Sequence, residues 1–207
     1  MVDTQVRPSD VTKFPIISAM LEVPRESFVP NNARPVAYMD VPVPLGDGRE
    51  MPDARVLAKM LDALDIRLSD NVLILCGNYG YSAAILSRMA ESVVMIEADE
   101  AMVAEAEAAL ASIEAHNAVV LQGDPAEGSA KAGPFDVILI EGGVERIPDT
   151  ITDQLREGGR IVAAFQSGTL GEVRIGRMMD GHIGWRFAFN AGAPVLPGFA
   201  AARGFAF

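Results

Sequence analysis

The turn Cys76-Gly77-Asn78-Tyr79-Gly80-Tyr81 follows an apolar run and carries the residue types expected at a nucleotide-binding turn. Glycine admits positive φ and lets a ligand approach the main chain, and a helix beginning near Tyr81 would present free N–H groups. The candidate contacts here are Gly77, Asn78, Gly80 and Tyr81. A plain tight turn would also use these glycines, so the motif alone is weak evidence.

An acidic residue follows the next apolar run, where Val93-Val94-Met95-Ile96 ends at Glu97. In nucleotide-binding sheets a carboxylate at this position accepts hydrogen bonds from both ribose hydroxyls. Glu97 could equally be a solvated charge at a strand end, but its distance from the glycine turn favours a binding site.

Two further strand ends carry candidates. Gly123-Asp124 follows a third apolar run, where the Asp could face an adenine amino group or simply begin a turn before Pro125. Glu141 ends a fourth run and could contact cofactor or substrate, or serve as an electrostatic cap for a helix. Gly123, Asp124 and Glu141 therefore complete the predicted cofactor contacts.

Residues for acid–base, nucleophilic or metal chemistry are scarce. His116 and His182 are the only histidines, and no Cys or His spacing suits a metal, so we predict no metal site. Cys76 is better explained by packing than by nucleophilic catalysis, because no histidine lies near it in sequence. The residues alone identify no catalytic group.

The elements that would position these residues alternate between short apolar strands and helices, the pattern of a parallel sheet covered on both faces. An edge hairpin is predicted from residues 172–180 and 185–190, with Asp180-Gly181 as its turn. The predicted strands are Asn71–Leu75, Ser92–Ile96, Ala118–Gln122, Phe135–Ile140 and Arg160–Phe165, with helices beginning near Tyr81, Glu100 and Ile147.

The first 64 residues differ from this pattern. Val11, Phe14, Ile17 and Leu21 recur at helical spacing and predict a helical layer, with Pro15 near the helix start. Residues 33–51 are rich in Pro and Gly without a period, which predicts an ordered loop. An amphipathic helix is expected over 56–64.

Length and composition predict one domain, residues 1–207, with N-terminal helices and a loop in 1–64 and the sheet core in 65–207. The formal charge of -11 opposes nucleic acid and anionic membranes as partners. No apolar run approaches membrane-spanning length, the first residues do not resemble a signal peptide, and one Cys cannot form an intramolecular disulfide. We therefore expect a cytoplasmic setting. Oligomeric state leaves no signal in the sequence.

The order of these motifs resembles the protein-L-isoaspartate O-methyltransferase family over nearly the whole chain. The resemblance is carried by Val23–Pro30, by the loop Ala37–Gly48, by Pro134–Glu141 and by the region from Ile147 to Arg160. Pro194–Phe199 is similar to a bacterial branch of the family.

This resemblance implies an α/β fold of the Rossmann-like, S-adenosylmethionine-dependent methyltransferase type. The sheet would be mostly parallel and seven-stranded, with helices on both faces and an N-terminal helical layer. It implies methyl transfer from S-adenosylmethionine to a carboxylate of a protein or peptide. Because a carboxylate is already anionic at pH 7, positioning and desolvation can carry that reaction without a general base.

The sequence departs from the family at both ends of the expected site. Ile74 stands at an acidic position, and Cys76 and Asn78 stand at two of three alternating glycines, leaving Gly80. Glu50-Met51-Pro52 replaces Thr-Ile-Ser in the substrate loop, where Arg49 or Arg55 could bind an acid or be an exposed loop arginine. Two alternatives follow: a catalytically inactive binding or scaffold protein, or a methyltransferase with another acceptor.

Overall fold

The computed structural model describes residues 1–202, which form two sheets and five α-helices. In chain order the elements are α1 (Phe14–Glu22), β1 (Val43–Gly46), β2 (Arg49–Met51), α2 (Ala54–Leu64), β3 (Asn71–Leu75), α3 (Tyr81–Leu86), β4 (Ser92–Glu97), α4 (Glu100–Ser112), β5 (Ala118–Gln122), β6 (Phe135–Val144), α5 (Asp149–Thr152), β7 (Leu155–Ser167), β8 (Leu170–Met179) and β9 (His182–Asn190).

The main sheet has seven strands in the order β5-β4-β3-β6-β7-β8-β9. Strands β3 to β7 pair in parallel, and β8 and β9 add an antiparallel edge. Strand order reverses beside β3, which creates the crevice where ligands bind in such sheets. The predicted seven-stranded α/β fold is therefore confirmed. The β8–β9 turn uses Asp180 and Gly181, both at positive φ, as the Asp-Gly signal predicts.

Each central strand is buried on both faces. Val72 and Ile74 of β3 point into one apolar cluster with α2 and α3, and Leu73 and Leu75 point into a second cluster with Phe135. This two-sided burial explains the uninterrupted apolar runs that the sequence shows. Strands β6 and β7 extend beyond their predicted bounds, and the short helix α5 begins at Asp149 rather than Ile147.

The predicted apolar face of α1 is partly wrong. Phe14 and Leu21 are 77% and 66% exposed, whereas Ile16, Ile17 and Met20 are buried. The helix begins at Phe14, so Val11 precedes it and does not define its buried face. The buried stripe of α1 packs against α2 and α3 and attaches the N-terminal layer to the sheet.

A second correction concerns residues 33–51, for which we predicted an ordered loop. Within them β1 and β2 form an antiparallel hairpin, separate from the main sheet. Asp47 and Gly48 at its tip have φ of 48° and 72°, which suits a tight hairpin turn. Pro42 and Pro44 mask this pattern in the sequence, because proline is depleted from strands.

Within residues 1–202, none of the helices has the length and apolar character needed to cross a membrane. The same residues contain no group of three or more His, Cys, Asp or Glu side chains placed to hold a metal ion.

Candidate cofactor site

The strand register brings the sequence-predicted residues to one edge of the sheet. Leu75 pairs with Ile96 on one side and with Ile140 on the other, while Glu97 pairs with Gln122. The residues after these positions, from Cys76 to Tyr81, Gly123-Asp124 and Glu141, therefore lie with Glu97 at the carboxyl edge. We call this region the crevice.

The turn after β3 keeps left-handed backbone at three alternating positions although two of them are not glycine. The φ angles are 60° at Cys76, 54° at Asn78 and 87° at Gly80. Asn tolerates this region better than most residues, whereas Cys76 carries strain of about 1–2 kcal/mol there. Gly77 does not adopt positive φ. It packs against β4 instead, where an added Cβ would lie 2.3 Å from Sδ of Met95.

Glu97 is fully buried, and its carboxylate is surrounded by donors. Oε1 accepts hydrogen bonds from the main-chain N–H groups of Ala98 and Asp99, at 2.9 and 3.2 Å. Oε2 accepts one from the N–H of Asn78 at 3.0 Å. The carboxylate therefore joins the end of β4 to the turn after β3.

Arg49 supplies the remaining donors to this carboxylate. Its Nη1 lies 3.1 Å from Oε1 of Glu97, and its Nη2 lies 2.8 Å from Oε2. Nη2 also donates to Oδ1 of Asn78 at 2.8 Å and to the carbonyl of Cys76 at 3.3 Å. The Arg49 side chain is 13% exposed. Interpreting Arg49 as an exposed loop arginine is therefore wrong, and the acid that it binds belongs to the protein itself.

Asn78 and Glu141 form a second buried polar contact in the crevice. Nδ2 of Asn78 lies 3.4 Å from Oε1 of Glu141 and 3.4 Å from the carbonyl of Glu50. Burial raises the pKa of Glu141 to about 7, although neighbours that include Ser82 and Asn78 partly oppose this effect. Oε2 of Glu141 has no hydrogen-bond partner among the described residues. Glu141 therefore makes a buried contact with the turn after β3, in place of the helix cap that we gave as its alternative role.

Arg25 is a site residue to which sequence reasoning gave no role. It is completely buried, and it donates from Nε to the carbonyl of Ala37 at 2.7 Å and from Nη2 to that of Pro52 at 2.6 Å. Desolvation lowers its pKa. In the sequence, Arg25 is distinguished only by its place in the Val-Pro-Arg-Glu string, and that string does not indicate that Arg25 lies near the crevice.

Tyr81 and Asp124 are placed less favourably for ligand contact. The Tyr81 ring lies under the N-terminal layer, 5.8 Å from the Phe28 ring centre, so a cofactor contact there would have to use the main chain. Asp124 is exposed, and its Oδ1 accepts the N–H of Ala126 at 2.8 Å, as in the turn predicted as its alternative. Gly123 donates its N–H to the carbonyl of Glu97 at 3.0 Å.

A cavity of about 30 Å³ lies beside Glu141 and has room for about one water molecule. Its lining is mostly apolar but includes three acidic residues, Glu50, Asp53 and Glu141. Burial raises the pKa of Glu50, with a smaller contribution from Asp53. Asp53 also caps α2, because its Oδ1 accepts the N–H of Val56 at 2.8 Å.

Sheet order and the position of the crevice define the Rossmann-like methyltransferase fold. A family model described as protein-L-isoaspartate(D-aspartate) O-methyltransferase matches residues 3–185. The protein-L-isoaspartate O-methyltransferase of Pelotomaculum thermopropionicum is 36% identical over 163 residues, which cover 79% of this chain and 71% of that protein. The chain therefore belongs to the protein-L-isoaspartate O-methyltransferase family.

Two solved structures share the fold. A protein-L-isoaspartate O-methyltransferase superposes with a TM-score of 0.83 at 21% identity, and the match covers 94% of this chain and 64% of that one. A putative protein-L-isoaspartate O-methyltransferase from Plasmodium falciparum, in complex with S-adenosyl-L-homocysteine, superposes with a TM-score of 0.78 at 15% identity. That match covers 93% and 94% of the two chains.

The crevice fits an adenosine-containing cofactor in its main chain but not in its present side-chain arrangement. The positive-φ turn and a strand-end carboxylate are both in place. However, Glu97 receives five hydrogen bonds, two of them from Arg49, and no part of it is exposed. The two ribose hydroxyls would need those same oxygens. S-adenosylmethionine therefore fits these residues only when the Arg49 guanidinium is displaced.

Proposed function

We propose that this chain binds S-adenosylmethionine in the crevice and transfers its methyl group to a carboxylate of a protein or peptide. Family membership over residues 3–185 supports the activity. The observation that carries the cofactor assignment is the carboxylate of Glu97, held at the end of β4 against the N–H of Asn78. We propose Gly77, Asn78, Gly80, Tyr81, Glu97, Gly123, Asp124 and Glu141 as the cofactor contacts.

The cofactor would supply an electrophilic methyl group, and the chain's own residues would supply position and a dry environment. Arg25 holds the main chain at Pro52, in the loop after β2, where we place the methyl acceptor. Glu141 is buried with its pKa near 7, so it adds less fixed negative charge than an ordinary carboxylate would. The reduced charge of Glu141 lowers the electrostatic cost of placing an anionic acceptor next to it.

A different acceptor is a variant of this proposal, and the loop after β2 favours it. Pro52 offers neither a side-chain hydroxyl nor an N–H, and Glu50 and Asp53 flank it. An isoaspartyl carboxylate would meet acidic groups there. A less acidic or neutral acceptor would dock with a smaller electrostatic cost.

The second candidate function is a family member that binds partners without catalysis. It is favoured by the Arg49 contacts, because the guanidinium fills the two acceptor positions that ribose would use. In that case the Arg49–Glu97 ion pair would stabilise the fold, and the sheet would serve as a scaffold for binding partners.

The test is calorimetric titration with S-adenosylhomocysteine, followed by methyl transfer from labelled S-adenosylmethionine to an isoaspartyl peptide. We expect binding that is abolished by Glu97→Gln and retained by Glu91→Gln, which alters an exposed residue. Absence of binding at millimolar ligand, in a protein that melts cooperatively, would favour the non-catalytic function. Binding without peptide methylation would favour a different acceptor.

The setting of this activity is also part of the proposal. We propose a cytoplasmic protein in which residues 1–207 form one methyltransferase-like domain, with 1–64 covering the sheet core of 65–207. The acidic composition supports a protein or peptide partner over nucleic acid.

A further inference from the structure

We propose that Arg49 sets the cofactor affinity of this chain by acting as an internal competitor for the ribose subsite. The inference rests on the proposed cofactor site. It adds that the subsite is already occupied by a side chain of the same protein, so that binding exchanges one set of donors for another.

The contacts show how complete this occupancy is. The guanidinium spans both oxygens of Glu97 and reaches the turn at Asn78 and at the Cys76 carbonyl. These four hydrogen bonds connect β2 to the end of β4 and to the turn after β3. A cis-diol that approached Glu97 would have to break the two bonds to the carboxylate, which are charge-assisted and stronger than neutral ones.

The hairpin that carries Arg49 holds its main chain in place. Val43, Leu45 and Met51 are buried, so the strands are packed on the body of the protein. At the tip of the hairpin, a Cβ added to Gly46 or Gly48 would meet nothing within 4 Å. Displacement therefore requires rotation of the Arg49 side chain and not movement of β1 and β2, and a long arginine side chain has the rotatable bonds for it.

The test compares S-adenosylhomocysteine binding to the wild type, Arg49→Gln and Arg177→Gln. Gln cannot bridge both oxygens of Glu97, so we expect Arg49→Gln to bind at least about tenfold more tightly than the wild type. Arg177 is an exposed arginine on β8 and serves as the matched control, with unchanged affinity expected. Arg49→Lys keeps the positive charge and should bind S-adenosylhomocysteine with an intermediate affinity. It still tests the proposal if Arg49→Gln folds poorly.

A second readout does not depend on the cofactor. In the ligand-free protein, Arg49→Gln should speed amide hydrogen exchange at Asn78, Ala98 and Asp99, because the carboxylate that accepts these N–H groups loses its partner. Equal affinity of the wild type and the Arg49 variants would overturn the competition while leaving the cofactor proposal intact. No binding to any of the proteins would overturn both proposals, whatever the exchange result.

Discussion

The Arg25 guanidinium lies 4.9 Å from the centre of the Tyr81 ring, at the first residue of α3. Arg25 belongs to the N-terminal layer, and Tyr81 follows the cofactor-type turn. The cation over the ring therefore joins the N-terminal layer to the turn after β3. The hydrogen bonds from Arg25 to the carbonyls of Ala37 and Pro52 extend this connection to the segment 37–52.

Replacing Arg25 should be costly. Arg25→Ala leaves two carbonyls without their donor and opens a cavity, so we expect the free energy of unfolding to fall by about 3 kcal/mol or more. Arg25→Lys should recover only part of this, because an ammonium lacks the planar fork of donors. Urea unfolding measures both, with the exposed Arg34→Ala as control, expected within about 0.5 kcal/mol of the wild type. A mild loss in Arg25→Ala would contradict the bridging role.

The raised pKa of Glu141, about 7 against an ordinary 4.5, predicts a specific pH dependence of stability. Between these two values the folded protein holds a proton that the unfolded chain has released. The free energy of unfolding therefore falls as pH rises through this window and is level above it. Glu141→Gln should remove up to about 3 kcal/mol of that decrease. Parallel stability curves for the two proteins from pH 5 to pH 8 would refute the assignment.

Two substitutions at Asn78 separate backbone strain from side-chain hydrogen bonding. Both Asn78→Gly and Asn78→Ala remove the contacts to Arg49 and Glu141. Both replacements must adopt a φ of 54° at this position, which strains Ala but not Gly, so Asn78→Ala should be less stable than Asn78→Gly by about 1 kcal/mol. Thermal unfolding of the pair measures the difference directly. Equal melting temperatures would show that the turn relaxes out of the left-handed region.

The thiol of Cys76 should be unreactive in the folded protein. Burial raises its pKa to about 12, with only partial opposition from Arg49, so little thiolate exists near neutral pH. We expect native protein at pH 8 to react with a disulfide reagent far more slowly than urea-unfolded protein. Rapid native reaction, monitored by absorbance, would point to a nucleophilic role that the structure does not support.

The sequence predicts the sheet well because its signals are local. Strands β3, β4 and β5 have apolar runs bounded by turn residues, and their predicted bounds agree with the structure to within one residue. The glycine turn and Glu97 are separated by one βαβ unit, so the register of the strands alone is enough to bring them together.

Arg49 and Arg25 could not be placed in the same way. Each acts across a long separation, 48 residues from Arg49 to Glu97 and 27 from Arg25 to Pro52. No periodicity encodes such contacts, because they depend on how the N-terminal layer and the hairpin pack on the sheet. Asp47-Gly48 is a local signal from which the hairpin could have been predicted, but we did not use it in the prediction, because the prolines around it favour a loop.

The left-handed angles at Cys76, Asn78 and Gly80 bear on how this protein diverged and how it could be redesigned. The main chain has positive φ at three alternating positions, and glycine would adopt these angles without strain. Restoring glycine at two positions would require no remodelling of the loop. The chain is thus a suitable starting point for redesigning the turn by substitutions at Cys76 and Asn78 alone.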